Sequence, residues 1–394
     1  LAVVSVVYET GIAESYMVPL AVDLEEPAWL IETVNPAARM AYVTVQGRSG
    51  LLYDGFYSSQ LRVYMFRGVV AGTQLPLKGG VISFVSGGYL SRIPVKSHEH
   101  EPDSYVTGGE QSNTSIVYDA TVIVKFFRKL QPGVNPDVEV TRALSERALF
   151  RYIPSFAGTI EYRLGDQILS LALLQEYIPA AVTAWEFVRD NAVTYASHVS
   201  VRRFESFDAQ RQEDIFNDRI ALLGKRTAQM HLALQSLGNE PGFVAEPLTL
   251  MYQRSVYQSM RNLSLNVFSS MEEARSAYPE DTRRRMSRLL DERELLFERF
   301  RRLIDHEIDA VRLRIHGDYH LGQVLFTGDD FRIIDFEGEP VRAIPERRLK
   351  RSPLRDVAGM VRSFHYAAYS AGIQVCGGRV HEFDRIESLM AAWY

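Results

Sequence analysis

The acidic and amide side chains between Arg314 and Pro340 are spaced as a centre of metal-assisted chemistry requires. Asp318 lies in the segment HGDYHLGQ, which ends at Gln323, and Asp335 lies among the apolar residues of FRIIDF. The apolar runs VLF and FRIIDF flank TGDD, a sequence typical of a hairpin turn. Because such a hairpin brings residues 323 and 335 to one end, we expect these two side chains to lie close together.

Two kinds of chemistry fit this segment. In phosphoryl transfer, Asp318 accepts the proton of an attacking hydroxyl, while Gln323 and Asp335 bind Mg²⁺ together with phosphate oxygens of ATP. In a metal-dependent hydrolase, His316 and His320 bind a metal ion beside Asp318. The other neighbouring histidines, His98 and His100, lie in the polar linker, and a hydrolase site would leave the acidic strand unused. We therefore favour phosphoryl transfer.

A lysine in an apolar strand needs a partner, because burying an unpaired ammonium is costly. Lys125 lies in TVIVKFF, a run typical of a strand buried on both faces. The next helix is predicted to begin with Asn135 as N-cap and Pro136 at the first helical position. This helix offers two candidate counter-ions for a lysine that binds ATP phosphates. Glu139 is the first choice and Glu146 the second. The alternative is an edge lysine with a buried stem and a solvated ammonium.

A small polar loop precedes the strand of Lys125. The segment GGEQSNTS can bring backbone N–H groups and hydroxyls to phosphate oxygens, although such a loop is more often only a turn. It matches neither the Walker A pattern nor the Rossmann pattern, which disfavours both kinds of nucleotide site. A hairpin is predicted to follow it, turning at Asp119 and Ala120.

Composition excludes several classes of function. The 394 residues are 46% hydrophobic and 24% charged, as in an ordinary soluble globular protein. The formal net charge of -5 gives no electrostatic reason to expect nucleic acid as a partner. No apolar run approaches the roughly 18 residues of a membrane span, so we expect no membrane partner. Cys376 is the single cysteine, which excludes disulfides within the chain and favours a reducing, cytoplasmic location.

The order of elements suggests three segments. Residues 1–95 are rich in short strands with Gly, Pro and Asp-Gly breaks, and predict an antiparallel sheet with one helix. Residues 96–180 predict a small β-α-β lobe, and residues 181–394 predict long amphipathic helices interrupted by the acidic hairpin. A polar stretch between residues 91 and 115 is expected to mark the boundary between the first two segments.

Several of these stretches resemble one superfamily of kinases. HGDYHLGQVLF and RIIDFEGEP resemble the catalytic and metal-binding loops of aminoglycoside phosphotransferase-like kinases, in which H-G-D replaces the H-R-D of protein kinases. Within that superfamily, EQSNTSIVY, VIVKFFRKLQPGVNPDVEV, LGKRTAQMHLAL and LKRSPLRDVAGMVRSFHYAA resemble bacterial maltokinase. The resemblance extends from Glu110 to Tyr369. The chain most resembles the maltokinase domain that is fused behind trehalose synthase.

The resemblance implies a fold and an activity. It implies an α+β, two-lobed protein kinase-like fold, with an N-terminal cap subdomain (1–95), a nucleotide-binding N-lobe (96–180) and a helical C-lobe (181–394). It further implies that the chain uses ATP and Mg²⁺ to convert maltose into maltose 1-phosphate for α-glucan and trehalose metabolism. A fused or associated trehalose synthase is the implied protein partner. The alternatives are a related sugar or aminosugar kinase, such as a glucosamine kinase, and a catalytically silent kinase-like domain.

The same resemblance implies roles for individual residues. Asp318 is the catalytic base, Gln323 and Asp335 are the metal ligands, and Lys125 binds phosphate with support from Glu139. The expected phosphate loop consists of Gln111, Ser112, Asn113, Thr114 and Ser115. The expected adenine-facing hinge consists of Gln175, Glu176 and Tyr177.

Two further residues are expected to support the catalytic loop. His316 precedes Asp318 in the H-G-D segment, and Asp356 begins the segment DVAGM. By resemblance, Asp356 braces the catalytic loop. Its alternative role is that of a carboxylate at the start of a helix, which contributes roughly 0.3–1 kcal/mol through the helix dipole.

Overall fold

The structure is a computed structural model of the chain. It describes residues 1–11, 13–77, 79–93, 101–108, 113–200, 207–377, 390–391 and 393. Of the predicted phosphate loop, Gln111 and Ser112 lie outside these residues. No helix in these ranges combines the length and apolar character needed to cross a membrane.

The described ranges contain eighteen strands and ten α-helices. The strands are β1 (Ala2–Val6), β2 (Glu14–Val18), β3 (Leu20–Leu24), β4 (Arg39–Val45), β5 (Arg48–Asp54), β6 (Gln74–Leu77), β7 (Gly80–Ser86), β8 (Ser104–Val106), β9 (Asn113–Tyr118), β10 (Val122–Phe127), β11 (Lys129–Leu130), β12 (Phe156–Leu164), β13 (Gln167–Glu176), β14 (Val182–Thr183), β15 (Glu246–Pro247), β16 (Val311–Arg312), β17 (Val324–Phe326) and β18 (Phe331–Ile333). The helices are α1 (Glu26–Val34), α2 (Ser59–Ala71), α3 (Pro136–Glu146), α4 (Ala184–Ser200), α5 (Phe207–Ser236), α6 (Leu250–Ala274), α7 (Glu280–Asp291), α8 (Arg293–Arg301), α9 (Ile344–Arg347) and α10 (Leu354–Val375).

A seven-stranded antiparallel sheet carries the first half of the site. Its strand order is β6-β7-β12-β13-β10-β9-β8. The predicted hairpin joins β9 to β10, and its turn residues Asp119 and Ala120 have φ values of 48° and 50°. Two such residues in succession match the twist of the flanking strands, as in tight hairpin turns. In this sheet Lys125 lies opposite Leu173 of β13 and Ser115 of β9.

The sheet continues across the expected boundary at residue 95. Strands β6 and β7 precede that residue, and β7 pairs with β12 from Val81–Arg163 to Ser86–Gly158. The region before residue 95 contains two helices, α1 and α2, where one was expected. Helix α2 packs on β7, where Gly68 lies directly against the Phe84 ring. The local pattern predicted strands here but not their long-range partners.

The second half of the site belongs to the helical part of the chain. Helix α4 packs along α10, and the short strand β14 pairs with the hairpin formed by β17 and β18. One buried core contains Leu144 of α3, Leu223 of α5, Leu321 and Phe331. Because α3 shares this core, the helix that follows the Lys125 strand is packed directly against the elements that carry Asp318 and Asp335.

Candidate active site

The loop that carries Asp318 is held in place by hydrogen bonds from its backbone N–H groups to the Asp356 carboxylate. The Asp356 carboxylate is 1% exposed. It accepts hydrogen bonds from the N–H groups of His316 (2.9 Å) and Gly317 (3.0 Å). The same carboxylate lies 2.9 Å from His231 Nε2. Gly317 has a φ of 88°, a conformation that favours glycine, so the loop turns sharply just before Asp318.

His316 connects this loop to the strand before Asp335. Its ring is buried, and its Nε2 lies 2.9 Å from the carbonyl oxygen of Ile334. Its Nδ1 accepts the N–H of Asp318 at 3.4 Å, so Nε2 is the nitrogen that donates. Burial lowers the pKa of the imidazole below its usual value, consistent with a neutral ring in this position. His316 therefore fixes the spacing between the two loops and is not available as a metal ligand.

The acidic hairpin forms as predicted and brings Gln323 and Asp335 together. Val324 of β17 pairs with Ile333 of β18, and the TGDD segment makes the turn. Gln323 Nε2 donates to Asp335 Oδ2 at 2.8 Å. Asp335 has a φ of 64°, which is uncommon for a residue other than glycine and indicates backbone strain at this point. Both side chains face the same cavity.

Lys125 lies among three carboxylates. Its Nζ is 2.6 Å from Asp335 Oδ1, 3.2 Å from Asp137 Oδ2 and 3.4 Å from Glu337 Oε2. Burial disfavours the charged ammonium, but the three acids outweigh it and raise the pKa of Lys125 well above its usual value. Burial also opposes ionisation of Asp335, yet the nearby Lys125 charge lowers the pKa of that carboxyl. Lys125 is therefore a fixed cation beside Asp335.

The partner of Lys125 on helix α3 is Asp137. The expected ion pair between Lys125 and Glu139 was therefore wrong. Residues two apart on a helix point to nearly opposite faces, and Asp137 is the one turned toward the sheet. Asp137 also accepts the N–H of Phe336 at 2.9 Å, directly after Asp335. Glu146, the second choice, pairs with Arg142 at the far end of α3.

Glu139 instead joins α3 to the segment before the catalytic loop. Its Oε2 pairs with Arg314 Nη1 at 2.9 Å, and its Oε1 pairs with Arg348 Nη2 at 2.5 Å. The Arg314 side chain is 2% exposed. Glu139 therefore positions α3 against the helical part of the chain and does not line the cavity around Lys125.

In the described part of the expected phosphate loop, every second side chain faces the cavity beside Lys125. Asn113 and Ser115 line the cavity beside Lys125. Thr114 lies on the other face of β9, where its Oγ1 accepts from Arg128 Nε at 2.8 Å, so its side chain does not face this cavity and its part in the phosphate loop stays a prediction. The reason is the two-residue period of a strand, which turns neighbouring side chains to opposite faces.

All three expected hinge residues border the same cavity, which also contains Pro154, Ile178 and Ala181. Glu176 Oε2 accepts from the Ser155 hydroxyl at 2.8 Å, and the Tyr177 N–H donates to Thr121 O at 2.8 Å. Gln175 directs its amide toward Thr141 of α3 at 3.4 Å. The hinge is thus fixed by internal hydrogen bonds, and its apolar neighbours give the cavity a surface suited to a flat ring.

Two cavities meet beside Gly322, which lines both. The smaller, with a volume of about 540 Å³, contains Lys125, Gln323 and Asp335. The larger, of about 1010 Å³, has Asp318 in its wall. Molecules bound in the two cavities would therefore approach each other beside Gly322.

Besides Asp318 and Asp356, the larger cavity is lined by residues of α4 and α10 that the sequence did not single out: Trp185, Arg362, Tyr366 and Tyr369. Glu339, from the loop after β18, and Arg355 lie in the same wall. One sequence signal could have located the part of the cavity wall that α4 forms. Thr183 and Glu186 form a reciprocal cap, with hydrogen bonds of 2.9 Å and 3.2 Å between backbone N–H groups and side chains. The T-x-x-E spacing of a capping box predicts this helix start and therefore the position of Trp185.

Replacing Asp356 with Asn is expected to lower the free energy of unfolding by at least about 2 kcal/mol, because hydrogen bonds to a buried charge are lost. Misplacement of the Asp318 loop should also reduce turnover by roughly 10²-fold. Burial opposes ionisation of Asp356, but the hydrogen bonds from His231 and Gly317 lower its pKa. Its stabilisation is therefore full above the ordinary Asp pKa and is lost as pH falls through the lowered value.

Urea unfolding from pH 3 to pH 7 checks this prediction. The difference in unfolding free energy between the native chain and Asp356→Asn should shrink as the pH falls. The exposed Asp281→Asn variant is the control and should match the native chain throughout. An Asp356→Asn variant with unchanged stability and turnover would leave Asp356 with only the role of a helix-start carboxylate.

Comparison with solved structures shows the fold. A glucosamine kinase in complex with glucosamine, ADP and inorganic phosphate superposes with a TM-score of 0.55, covering 96% of this chain and 74% of that one at 19% identity. Crystal form A of a glucosamine kinase gives a TM-score of 0.56, covering 89% and 74% at 19% identity. This chain shares the fold of those structures.

Sequence comparison points to the same kind of relative. The chain is 24% identical over 269 residues to a glucosamine kinase of Streptacidiphilus jiangxiensis, across 65% of this chain and 53% of that protein. It is 26% identical over 264 residues to a glucosamine kinase of Mycolicibacterium smegmatis, across 66% and 58%. The aligned region thus spans little more than half the length of these relatives. No protein-family model matches the chain.

These comparisons correct the expected identity. The relatives and the structural neighbours are named glucosamine kinase, so the assignment to maltokinase was wrong. The expectation of maltose as substrate, with a product that feeds glycogen and trehalose metabolism, falls with it. Nothing in the comparisons supports a trehalose synthase partner. The finding agrees with the alternative that the sequence left open, an aminosugar kinase.

Proposed function

We propose that this chain is an ATP- and Mg²⁺-dependent kinase that phosphorylates an aminosugar of the glucosamine class. One observation carries the proposal. Two cavities meet at Gly322, with Asp318 in the wall of one and Lys125, Gln323 and Asp335 in the other. This is the arrangement that phosphoryl transfer needs, since the acceptor and the nucleotide must face each other across a base and a set of charge-stabilising groups.

The proposed fold is a two-lobed protein kinase-like fold. The nucleotide-binding lobe would comprise the seven-stranded sheet with α3, and would therefore include β6 and β7 from before residue 95. Residues 181–394 would form the helical lobe with the catalytic and metal-binding loops. Support for this division comes from the position of the smaller cavity, whose lining residues come from β9, β10 and β13 on one side and from the acidic hairpin on the other.

The residues of the smaller cavity suit ATP and Mg²⁺. Gln323 and Asp335 present oxygen donors, the type that Mg²⁺ prefers. Among the described residues no cluster of three or more His, Cys, Asp or Glu side chains could hold a metal ion alone, which fits an ion that relies on phosphate and water for its other ligands. When bound, Mg²⁺ supplies charge neutralisation for the phosphates. Lys125 provides a second, fixed positive charge.

Transfer would proceed in one displacement. The acceptor hydroxyl gives its proton to the Asp318 carboxylate while its oxygen forms a bond to the γ-phosphorus of ATP. The bond from that phosphorus to the bridging oxygen breaks, and ADP leaves with the electron pair. Asp356 and His316 hold the Asp318 loop in place through the backbone hydrogen bonds described above.

The aminosugar assignment is supported by the names of the relatives. In the wall of the acceptor cavity, Asp318 is the carboxylate that can face an ammonium group, since Glu339 is paired with Arg342 and Arg355. A catalytically silent domain is disfavoured, because the side chains needed for chemistry are all present and face the two cavities. A metal hydrolase is disfavoured because the His316 ring is buried and hydrogen-bonded to Ile334.

Release of ADP from Mg-ATP in the presence of different sugars tests the proposal. Glucosamine should stimulate release at least about 10-fold over glucose and N-acetylglucosamine, because those two lack the ammonium that would face Asp318. Maltose and a sample without sugar are the remaining controls. Equal stimulation by glucose and glucosamine would remove the aminosugar assignment, and no stimulation by any sugar would refute the kinase itself.

A further inference from the structure

The acceptor cavity has more room than a single hexosamine requires. Its volume is about 1010 Å³, against about 540 Å³ for the cavity assigned above to ATP. ATP is a much larger molecule than glucosamine, yet the acceptor side is nearly twice as large. A pocket near 1000 Å³ is at the upper end of the range for drug-sized ligands. Glucosamine alone would leave most of this space to water.

The cavity is also long. One of its walls is a single face of α10 that extends from Arg355 through Gly359, Arg362 and Tyr366 to Ile373. The 18 positions between Arg355 and Ile373 correspond to about 27 Å of helix. Gly359 lies against the backbone of Tyr319, next to the catalytic Asp318. Tyr366 is seven residues further, about 10 Å from Gly359 along the axis, which is beyond the reach of a single pyranose ring at Asp318.

The distant part of the cavity has the surface of a sugar-binding site. Tyr366 is 55% exposed, although a ring of this size is ordinarily largely covered. The Arg362 guanidinium lies over one face of that ring, 4.2 Å from its centre, so a ligand would use the other face. Trp185 of α4 provides another aromatic surface in the cavity wall, and Ser370 adds a hydroxyl. Flat apolar rings with polar groups at their edges match the apolar faces and hydroxyl rims of pyranoses.

We propose that the natural acceptor is a short oligosaccharide of the glucosamine class, with its terminal ring at Asp318 and its next one or two rings along α10 as far as Tyr366. This inference rests on the proposed kinase function and specifies its substrate. The transfer is the displacement given above, so the γ-phosphoryl group passes to a hydroxyl of the terminal ring, its proton passes to Asp318, and ADP leaves.

Steady-state kinetics with glucosamine and its β-1,4-linked dimer and trimer test the inference on the native chain. The dimer and trimer should have kcat/KM values at least about 10-fold above that of glucosamine, mainly through a lower KM, because the additional rings gain contacts that the single ring lacks. Glucosamine with a kcat/KM equal to or above those of the oligomers would overturn it.

A pair of α10 variants locates the added contact. Tyr366→Ala should reduce the dimer-to-glucosamine ratio of kcat/KM by about 10-fold, the effect of losing a stacking surface. Val357→Ala is the matched control, because Val357 is also partly exposed on α10 but does not line the cavity. An unchanged ratio in Tyr366→Ala would also overturn the inference. Phosphorylation of none of the sugars by the native chain would refute the proposed function, a result distinct from either of these.

Discussion

Replacement of Asp318 with Asn is expected to lower the kcat of aminosugar phosphorylation by about 10²–10⁴-fold, the usual contribution of a general base. Binding of Mg-ATP should stay within about twofold of the native value, because Asp318 lies in the wall of the acceptor cavity and not in the cavity of Lys125. The Asp318 side chain is 40% exposed, so the nearly isosteric amide should leave the fold unchanged. Single-turnover kinetics and titration with Mg-ATP measure the two effects.

The hairpin turn supplies a matched control for this substitution. Asp329 is an exposed acid in the TGDD segment and lines neither of the two cavities. Asp329→Asn should therefore retain native kcat and native Mg-ATP binding. If Asp318→Asn retains more than a tenth of native turnover, the base is another group and the proposed displacement needs a different proton acceptor.

Replacement of Lys125 with Met is expected to lower both the free energy of unfolding and the affinity for ATP. Loss of the ammonium leaves Asp137, Asp335 and Glu337 close together without their cation. Breaking a buried pair in this way costs about 3–5 kcal/mol of the free energy of unfolding. ATP should also bind at least about 10-fold more weakly, because the fixed charge beside the phosphates is lost. Denaturant unfolding and ATP titration report the two losses separately.

Two further variants separate charge from packing. Lys129→Met removes a lysine that is 41% exposed and pairs with Glu14, and it should change stability by no more than about 1 kcal/mol. The double variant Lys125→Met with Asp137→Asn removes one of the stranded carboxylates, so it should recover part of the lost stability without recovering ATP binding. Native stability and native ATP affinity in Lys125→Met would contradict the position given to Lys125.

The sequence predicted the parts of the site that depend on local patterns. The turn at Asp119 and Ala120, the Asn135 N-cap and the acidic hairpin all form where the residue types indicated. Each of these features is decided within a few residues, by turn chemistry or by capping. The proximity of Gln323 and Asp335 follows from the hairpin and was therefore predictable as well.

The wrong partner for Lys125 arose where side-chain direction mattered. The choice of Glu139 over Asp137 required the phase of α3 relative to the sheet, which depends on how the helix packs and not on its own sequence. The direction of the Thr114 side chain was predictable, because strand alternation places Asn113 and Ser115 together on one face and Thr114 on the other.

The features that the sequence did not predict depend on contacts between residues far apart in the chain. The pairing of β7 with β12 joins residues about 80 positions apart across the expected boundary, and no local signal specifies it. The acceptor cavity likewise combines α4 with α10, so its residues form no recognisable motif in the sequence. A few hydrogen-bonding side chains determine which sugar a kinase accepts, and under the proposed function they would lie in that cavity. This is why the reaction class was easier to infer than the sugar.

The most direct test of the proposed function follows the label of [γ-³²P]ATP in the presence of Mg²⁺ and glucosamine. Labelled phosphate should appear in the aminosugar, in equal amount to the ADP formed, and Asp318→Asn should lose this transfer while still binding Mg-ATP. Label recovered only as inorganic phosphate, or no turnover of Mg-ATP that is demonstrably bound, would contradict the proposal that this site phosphorylates an aminosugar.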